Sequence, residues 1–176
     1  RGAYIQQKEC RDFEAHLAEF MGVKHAFGVA NGTDAIIIGL KAMGIGPGDE
    51  VILPSFTFVS TANAFVLRGA KIVFADVQPD TANIDPAAVE AAITPRTKAI
   101  VAVDYAGHPA DLDELRAIAD KHGLYLIEDA AHSIGSTYKN RPIGSIADIT
   151  TFSFFPTKNM TTAEGGAVAS IHSDLL

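Results

Sequence analysis

Lys158 stands in FSFFPTKNMTTAEGG (152–166), one amine among aromatic residues, a proline and hydroxyl side chains. Taking an ammonium out of water is costly unless an anion compensates it. Burial also lowers a lysine's pKa and exposes a neutral amine, which attacks carbonyl carbon. A pairing with Glu164, or a place on a solvated loop, would make Lys158 an ordinary charge instead. A second group lies in LYLIEDAA (124–131), an apolar run ending in Glu128 and Asp129 with His132 just beyond. A carboxylate at the end of an apolar strand needs a specific partner, and an ion pair or a turn cap would supply one without chemistry. The third group is Asn31, Gly32 and Thr33, which follow the apolar HAFGVA (25–30) and open a helical pattern. Small residues at a helix N-terminus leave backbone N–H groups free for an anion such as phosphate, although plain N-capping explains NGT alone.

An anion nest, a carboxylate and a lysine, each at a strand end, together match one cofactor. Pyridoxal phosphate needs a phosphate cradle, an acid partner for its pyridine nitrogen and a Schiff-base lysine. Other chemistries fit less well. The 6 histidines show no metal-ligand spacing, and with the single cysteine Cys10 a zinc site is not expected. No GxGxxG opens the helix after the first strand, which weakens a dinucleotide-binding reading.

The elements that must position these residues alternate between strand and helix, the pattern of an α/β fold. Residues 9–21 form a helix with Phe13, Leu17, Phe20 and Met21 on one face, stopped by Gly22. The segment from Asn31 or Thr33 onward is the next helix. GPGDEVILP (46–54) turns into a strand, 58–68 is a helix and KIVFADV (71–77) a strand. Asp85 caps a short helix with Pro86 at its first position. KAIVAVDY (98–105) is a buried strand, DLDELRAIADKHG (111–123) an amphipathic helix and 124–131 a further strand. ADITTFSF and GGAVAS close the series. Strands this apolar fit a three-layer α/β/α arrangement with a mostly parallel sheet covered on both faces. Ligands bind such sheets beyond the carboxyl ends of the strands.

The 176 residues suffice for one domain with a real core. A net charge of −7 and the absence of a basic run argue against a nucleic-acid partner. No apolar stretch is long enough to cross a bilayer, and the lone cysteine fits a reducing cytoplasm. The chain opens on Arg1 and stops at IHSDLL, just after an apolar run. Both ends are expected to be cuts.

In order, FEAHLAEFMGVKHAFGVANGTDAI, GPGDEVILPSFTFVSTANA, VFADV, NIDP, EDAAHSIGS and FSFFPTKNMTTAEGG resemble the sugar aminotransferases of the DegT/DnrJ/EryC1/StrS family. The resemblance runs nearly end to end. It implies a pyridoxal-phosphate enzyme of the aspartate-aminotransferase fold (fold type I). Residues 1–176 would be the N-terminal part of its large cofactor-binding domain, truncated, with the small C-terminal domain outside the chain. By the same resemblance Lys158 holds the cofactor aldehyde, and Asp129 keeps a proton on the pyridine nitrogen. Gly32 and Thr33 bind the phosphate through backbone amides and Ser153 through its hydroxyl, while Phe58 stacks on the ring. His132 stands where the family usually has glutamine and is expected near the ring hydroxyl. Ala163 stands where glycine is common before EGG, which bears on loop shape alone.

The implied reaction moves an amino group, with L-glutamate as donor, to a keto group of a nucleotide-linked sugar, in a homodimer with shared sites. Tyr105 is a candidate substrate contact. Relatives that act as sugar dehydratases carry histidine at the position of Lys158, so lysine favours transamination. A non-catalytic relative that senses cofactor or nucleotide-sugar is the remaining alternative. Retention of Lys158, Asp129 and the phosphate nest together weighs against it.

Overall fold

The computed structural model describes residues 8–175. Helix α1 (Lys8–Met21) leads into strand β1 (His25–Val29) and helix α2 (Gly32–Ala42). Then come β2 (Glu50–Pro54), α3 (Val59–Leu67), β3 (Lys71–Ala75), α4 (Pro86–Ala92) and β4 (Thr97–Val103). A single 3₁₀ turn (Tyr105–Gly107) precedes α5 (Leu112–His122) and β5 (Tyr125–Asp129). The short pair β6 (Thr137–Tyr138) and β7 (Arg141–Pro142) is followed by β8 (Ile149–Ser153) and β9 (Gly166–Ser170).

Seven strands make one sheet in the order β1-β9-β8-β5-β4-β2-β3. β3, β2, β4, β5 and β8 are mutually parallel, and β9 runs antiparallel to both β8 and β1. Alternation along the strands sorts the core into two layers. Ala99, Val101 and Val103 of β4 pack with Ala35, Ile36 and Leu40 of α2 and Ala64 and Phe65 of α3. Ile100 and Ala102 pack on the opposite face with Leu17 and Met21 of α1, Val89 of α4 and Leu115 and Ala119 of α5. This is the three-layer α/β/α architecture expected from the alternating pattern.

Local chemistry explains the helix starts. Asn31 caps α2 in extended conformation (φ −164°), its Oδ1 accepting from Asp34 N at 2.8 Å. Asp85 caps α4 by accepting from Ala87 N at 2.9 Å, with Pro86 in the first turn. Gly123 ends α5 in the left-handed region (φ 65°). At the amino end of the sheet, buried Glu50 accepts from Lys71 (2.9 Å), Arg96 (2.7 Å) and Thr94 (2.5 Å), tying three segments together.

Four features differ from the sequence reading. Phe20 is 60% exposed, because α1 buries a stripe through Phe13, Leu17 and Met21. At about 100° per residue, Phe20 falls off the side of that stripe. The strand expected over 71–77 stops at Ala75 and is an edge strand, leaving Phe74 exposed. The β6–β7 hairpin was not foreseen. It turns through Lys139 and Asn140, both at positive φ (48° and 65°), the geometry of a two-residue hairpin without its usual glycine. The strand expected over 124–131 ends at Asp129, and Ala130 starts the turn that carries His132.

Candidate functional site

Four neighbouring parallel strands and β1 end on one side of the sheet, and their carboxyl ends open into a cavity of about 450 Å³. Each loop supplies something polar. The loop after β1 brings Asn31, Gly32 and Thr33, and that after β2 brings Thr57, Phe58, Ser60 and Thr61. Asp104 and Tyr105 follow β4, Asp129 and His132 come from the end of β5, and Ser153 and Lys158 come from the end of β8. Gly32, Thr33, Phe58, Asp129, His132, Ser153 and Lys158, drawn from four separate stretches of sequence, therefore line one cavity. Tyr105 lines it too, and packs on Phe56 with ring centroids 4.7 Å apart.

The α2 N-terminus is the anion-binding side. The first backbone N–H groups of a helix have no intrahelical acceptor, and here Asn31 satisfies Asp34 N, while Gly32 and Thr33 line the cavity and their N–H groups have no acceptor among the described residues. The backbone is close-packed behind them. A Cβ on Gly32 would lie 2.9 Å from Ser153 Cβ. A Cβ on Gly166, at the start of β9, would lie 2.5 Å from the Asn31 carbonyl and 2.8 Å from Gly32 N. Glycine at both positions lets β8, β9 and the helix start meet, with the Ser153 hydroxyl beside the exposed amides.

Asp129 is buried at the end of β5. Its Oδ2 accepts from Thr61 Oγ1 at 2.7 Å and its Oδ1 from Ala131 N at 3.2 Å. A carboxylate only accepts, so the Thr61 hydroxyl is spent on Asp129, and the Thr61 oxygen takes the Thr57 hydroxyl 3.0 Å away. Burial pushes the Asp129 carboxyl above the ordinary range, against the opposing pull of Thr61, Ala131, Lys158 and His132. A cation placed against this carboxylate would relieve that cost.

Lys158 lies on the turn after β8, its N–H bonded to Phe155 O at 2.9 Å. Among the described residues its amine makes no hydrogen bond or ion pair, so the Glu164 pairing does not form, although Glu164 lines the same cavity. Burial lowers the Lys158 pKa from its ordinary value, and Asp129 partly restores it. His132 is likewise lowered, first by burial and then by the Lys158 charge, which keeps its imidazole neutral. Asn159 Nδ2 donates to His132 O at 2.7 Å and clamps the lysine turn to the β5 turn.

Sequence reasoning missed Thr57, Thr61 and Asn159. Thr61 meets Asp129 across 68 residues, and no local signal marks that contact. The available hint was the i, i+4 pair of hydroxyls at the start of α3, which share a face.

Residues 1–175 match the model of the DegT/DnrJ/EryC1/StrS aminotransferase family. The chain belongs to that family. It is 50% identical over 175 residues to the spore coat polysaccharide biosynthesis protein SpsC of Bacillus subtilis (strain 168), covering 99% of this chain and 44% of the relative. It is 47% identical to the UDP-2-acetamido-2-deoxy-3-oxo-D-glucuronate aminotransferase of Pseudomonas aeruginosa, covering 99% and 49%. The crystal structure of NtdA from Bacillus subtilis with bound cofactor PMP superposes with a TM-score of 0.92 at 40% identity, covering 97% of this chain and 38% of that one. The chain thus spans about half the length of the curated relatives it matches.

Proposed function

We propose that this protein is a pyridoxal-phosphate aminotransferase that moves an amino group from L-glutamate to a keto group of a nucleotide-linked sugar. The observation that carries the reading is the convergence of the α2 N-terminus, a buried carboxylate and the Lys158 amine on one cavity. Family membership and the keto-sugar named for the Pseudomonas relative support the substrate class.

The donor set fits the cofactor at each end. Gly32 and Thr33 amides and the Ser153 hydroxyl would hold its phosphate, with the α2 dipole adding attraction. Asp129 would hold the ring nitrogen, and Phe58, 72% exposed at the α3 start, has its face free to cover the ring. When bound, pyridoxal phosphate supplies an aldehyde carbon and a cationic ring that accepts an electron pair.

The chain's own residues do the rest. Asp129 is the anion that pairs with a protonated ring nitrogen, and its pairing offsets the burial that raises its pKa. Thr61 and the Ala131 amide orient that carboxylate. Lys158 Nζ would hold the cofactor at its carbonyl carbon, and its free amine would take the proton from the donor's Cα. Its lowered pKa enlarges the fraction of free amine at neutral pH. Neutral His132 offers a hydrogen bond to the cofactor's ring oxygen. Phe58 and Phe155 line the cavity and stand exposed, in keeping with a homodimer in which a second subunit closes the site.

The half-reaction tests the proposal. L-glutamate added to the cofactor-loaded full-length protein should release 2-oxoglutarate stoichiometrically and convert the cofactor to its amine form, and the Lys158→Ala variant should do neither. Release of 2-oxoglutarate by Lys158→Ala at the wild-type rate would refute the role of Lys158.

A further inference from the structure

Consecutive residues of β5 point to opposite faces of the sheet. Asp129 faces the cavity and α3, whereas Glu128 lies with Leu126 and Ala130 on the α5 side. Glu128 is fully buried, at 0% exposure. Its Oε2 accepts from Thr150 Oγ1 at 2.9 Å and from Gly144 N at 3.2 Å, while its Oε1 has no donor. The side chain facing it is a second carboxyl. Val103 pairs with Asp129 and Ala102 with Glu128 in the parallel β4–β5 ladder, which sets the next residue, Asp104, beside Glu128 on that face. Asp104 is also buried, its Oδ1 accepting from Ala110 N at 3.1 Å and its Oδ2 from Ser133 Oγ at 2.5 Å. The Glu128 Oε1 is thus left without a partner, buried on the face that carries the Asp104 carboxyl.

Two ionised carboxylates are both acceptors, so neither could satisfy the other or that orphaned oxygen. Nor does a cation neutralise them. Among the described residues neither belongs to an ion pair, and Arg116 of α5 on the same face is engaged by Asp120 and Asp148. The groups around the pair are the Thr150, Ser133, Gly144 and Ala110 donors and, through the β5 backbone, the Asp129 carboxyl. We propose that Glu128 is a protonated positioning residue, donating from Oε1 to Asp104 so that the pair holds one proton and fixes the strand ends on which Asp129 is mounted. One carboxyl–carboxylate pair carries one negative charge rather than two. The donated proton ties β4 to β5 at the residue before Asp129, and Glu128 adds no anion behind the carboxylate that is to hold a cationic ring. Burial and the neighbouring Asp104 charge both raise the Glu128 pKa, in the direction the geometry requires.

This functional consequence rests on Asp129 being the cofactor's partner, but the protonation does not. In full-length protein labelled with carboxyl-¹³C glutamate, one glutamate carboxyl should remain protonated at neutral and mildly alkaline pH, with or without cofactor and in Lys158→Ala alike. Glu128→Gln, whose amide donates to Asp104 and accepts from Thr150 and Gly144, should remove that signal. Glu128→Gln should keep pyridoxal-phosphate affinity within about twofold, and Glu128→Ala should lose roughly tenfold or more, as expected for a buried carboxylate stripped of its donor. The sign of the stability effect follows from linkage. A raised folded pKa means the folded state holds the proton while the unfolded chain releases it above about 4.3. Wild type should therefore lose folding equilibrium relative to Glu128→Gln by up to about tenfold per pH unit as pH rises above that value. Every glutamate carboxyl ionised at neutral pH, or Glu128→Gln as damaging to cofactor binding as Glu128→Ala, would overturn the proposal.

Discussion

Thr61→Val isolates the hydrogen bond that holds Asp129. Thr61 is buried at 1% exposure, and valine replaces its hydroxyl with a methyl of nearly the same shape, so packing of α3 on the sheet is kept. What is lost is the 2.7 Å donor to Asp129 Oδ2, and no other described side chain takes its place, since Thr57 reaches Thr61 but not Asp129. A hydrogen bond to a charged group contributes about 1.5 to 3 kcal/mol net. In the cofactor-free protein, burial already disfavours the Asp129 charge that Thr61 supports. With the cofactor bound as proposed, Asp129 would be the counter-ion of a cation and would need that donor fully. The loss therefore falls on binding, and pyridoxal-phosphate affinity should weaken by roughly 10- to 150-fold. Equilibrium dialysis of wild type, Thr61→Val and Thr57→Val measures it, with the Thr57 variant expected between the other two. A thermal melt of the cofactor-free variants checks that the fold is intact. Unchanged affinity in well-folded Thr61→Val would refute the assignment of Asp129 as the ring partner.

Further outcomes follow from backbone and charge. Gly166→Ala should destabilise by more than the ~1–3 kcal/mol typical of overpacking, because its Cβ meets the backbone of Asn31 and Gly32 at 2.5 and 2.8 Å, which cannot move aside. Its thermal midpoint should fall well below that of Gly32→Ala, whose clash is with the Ser153 side chain. Ala163→Gly should raise the midpoint, since alanine there is held at φ 67° and relief of a left-handed alanine is worth about 1 kcal/mol. Hydrogen bonds from Thr94, Arg96 and Lys71 hold the Glu50 carboxyl down to about 2. A depressed carboxyl stabilises the fold above its unfolded value and loses that contribution as pH falls toward 2. The stability gap between wild type and Glu50→Gln should therefore narrow below about pH 4.3, and a gap independent of pH would contradict the assigned network.

Much of the frame was legible because its signals are local. Asn31, Asp85, Pro86 and Gly123 mark helix ends through their own side chains or φ preferences, and each does so in the structure. The central strands read as apolar because both of their faces are buried. The site was legible as residue types at strand ends, which the topology gathers on one side of the sheet. What escaped reading depends on contacts across the chain. Phe20 and Phe74 are apolar yet exposed, one at the margin of a helical stripe and one on an edge strand. The Thr61–Asp129 bond and the Glu128–Asp104 pair join elements brought together only by strand order. The Lys139–Asn140 turn escaped for a different reason, since neither residue is the glycine that would advertise positive φ.

Lys158 is the residue proposed to bond the cofactor. Reducing the cofactor-loaded full-length protein with sodium borohydride, digesting it and reading the peptides by mass spectrometry tests this most directly. A pyridoxyl adduct should appear on the peptide carrying Lys158, and none in Lys158→Ala. An adduct on another lysine, or no adduct in folded protein saturated with pyridoxal phosphate, would contradict it.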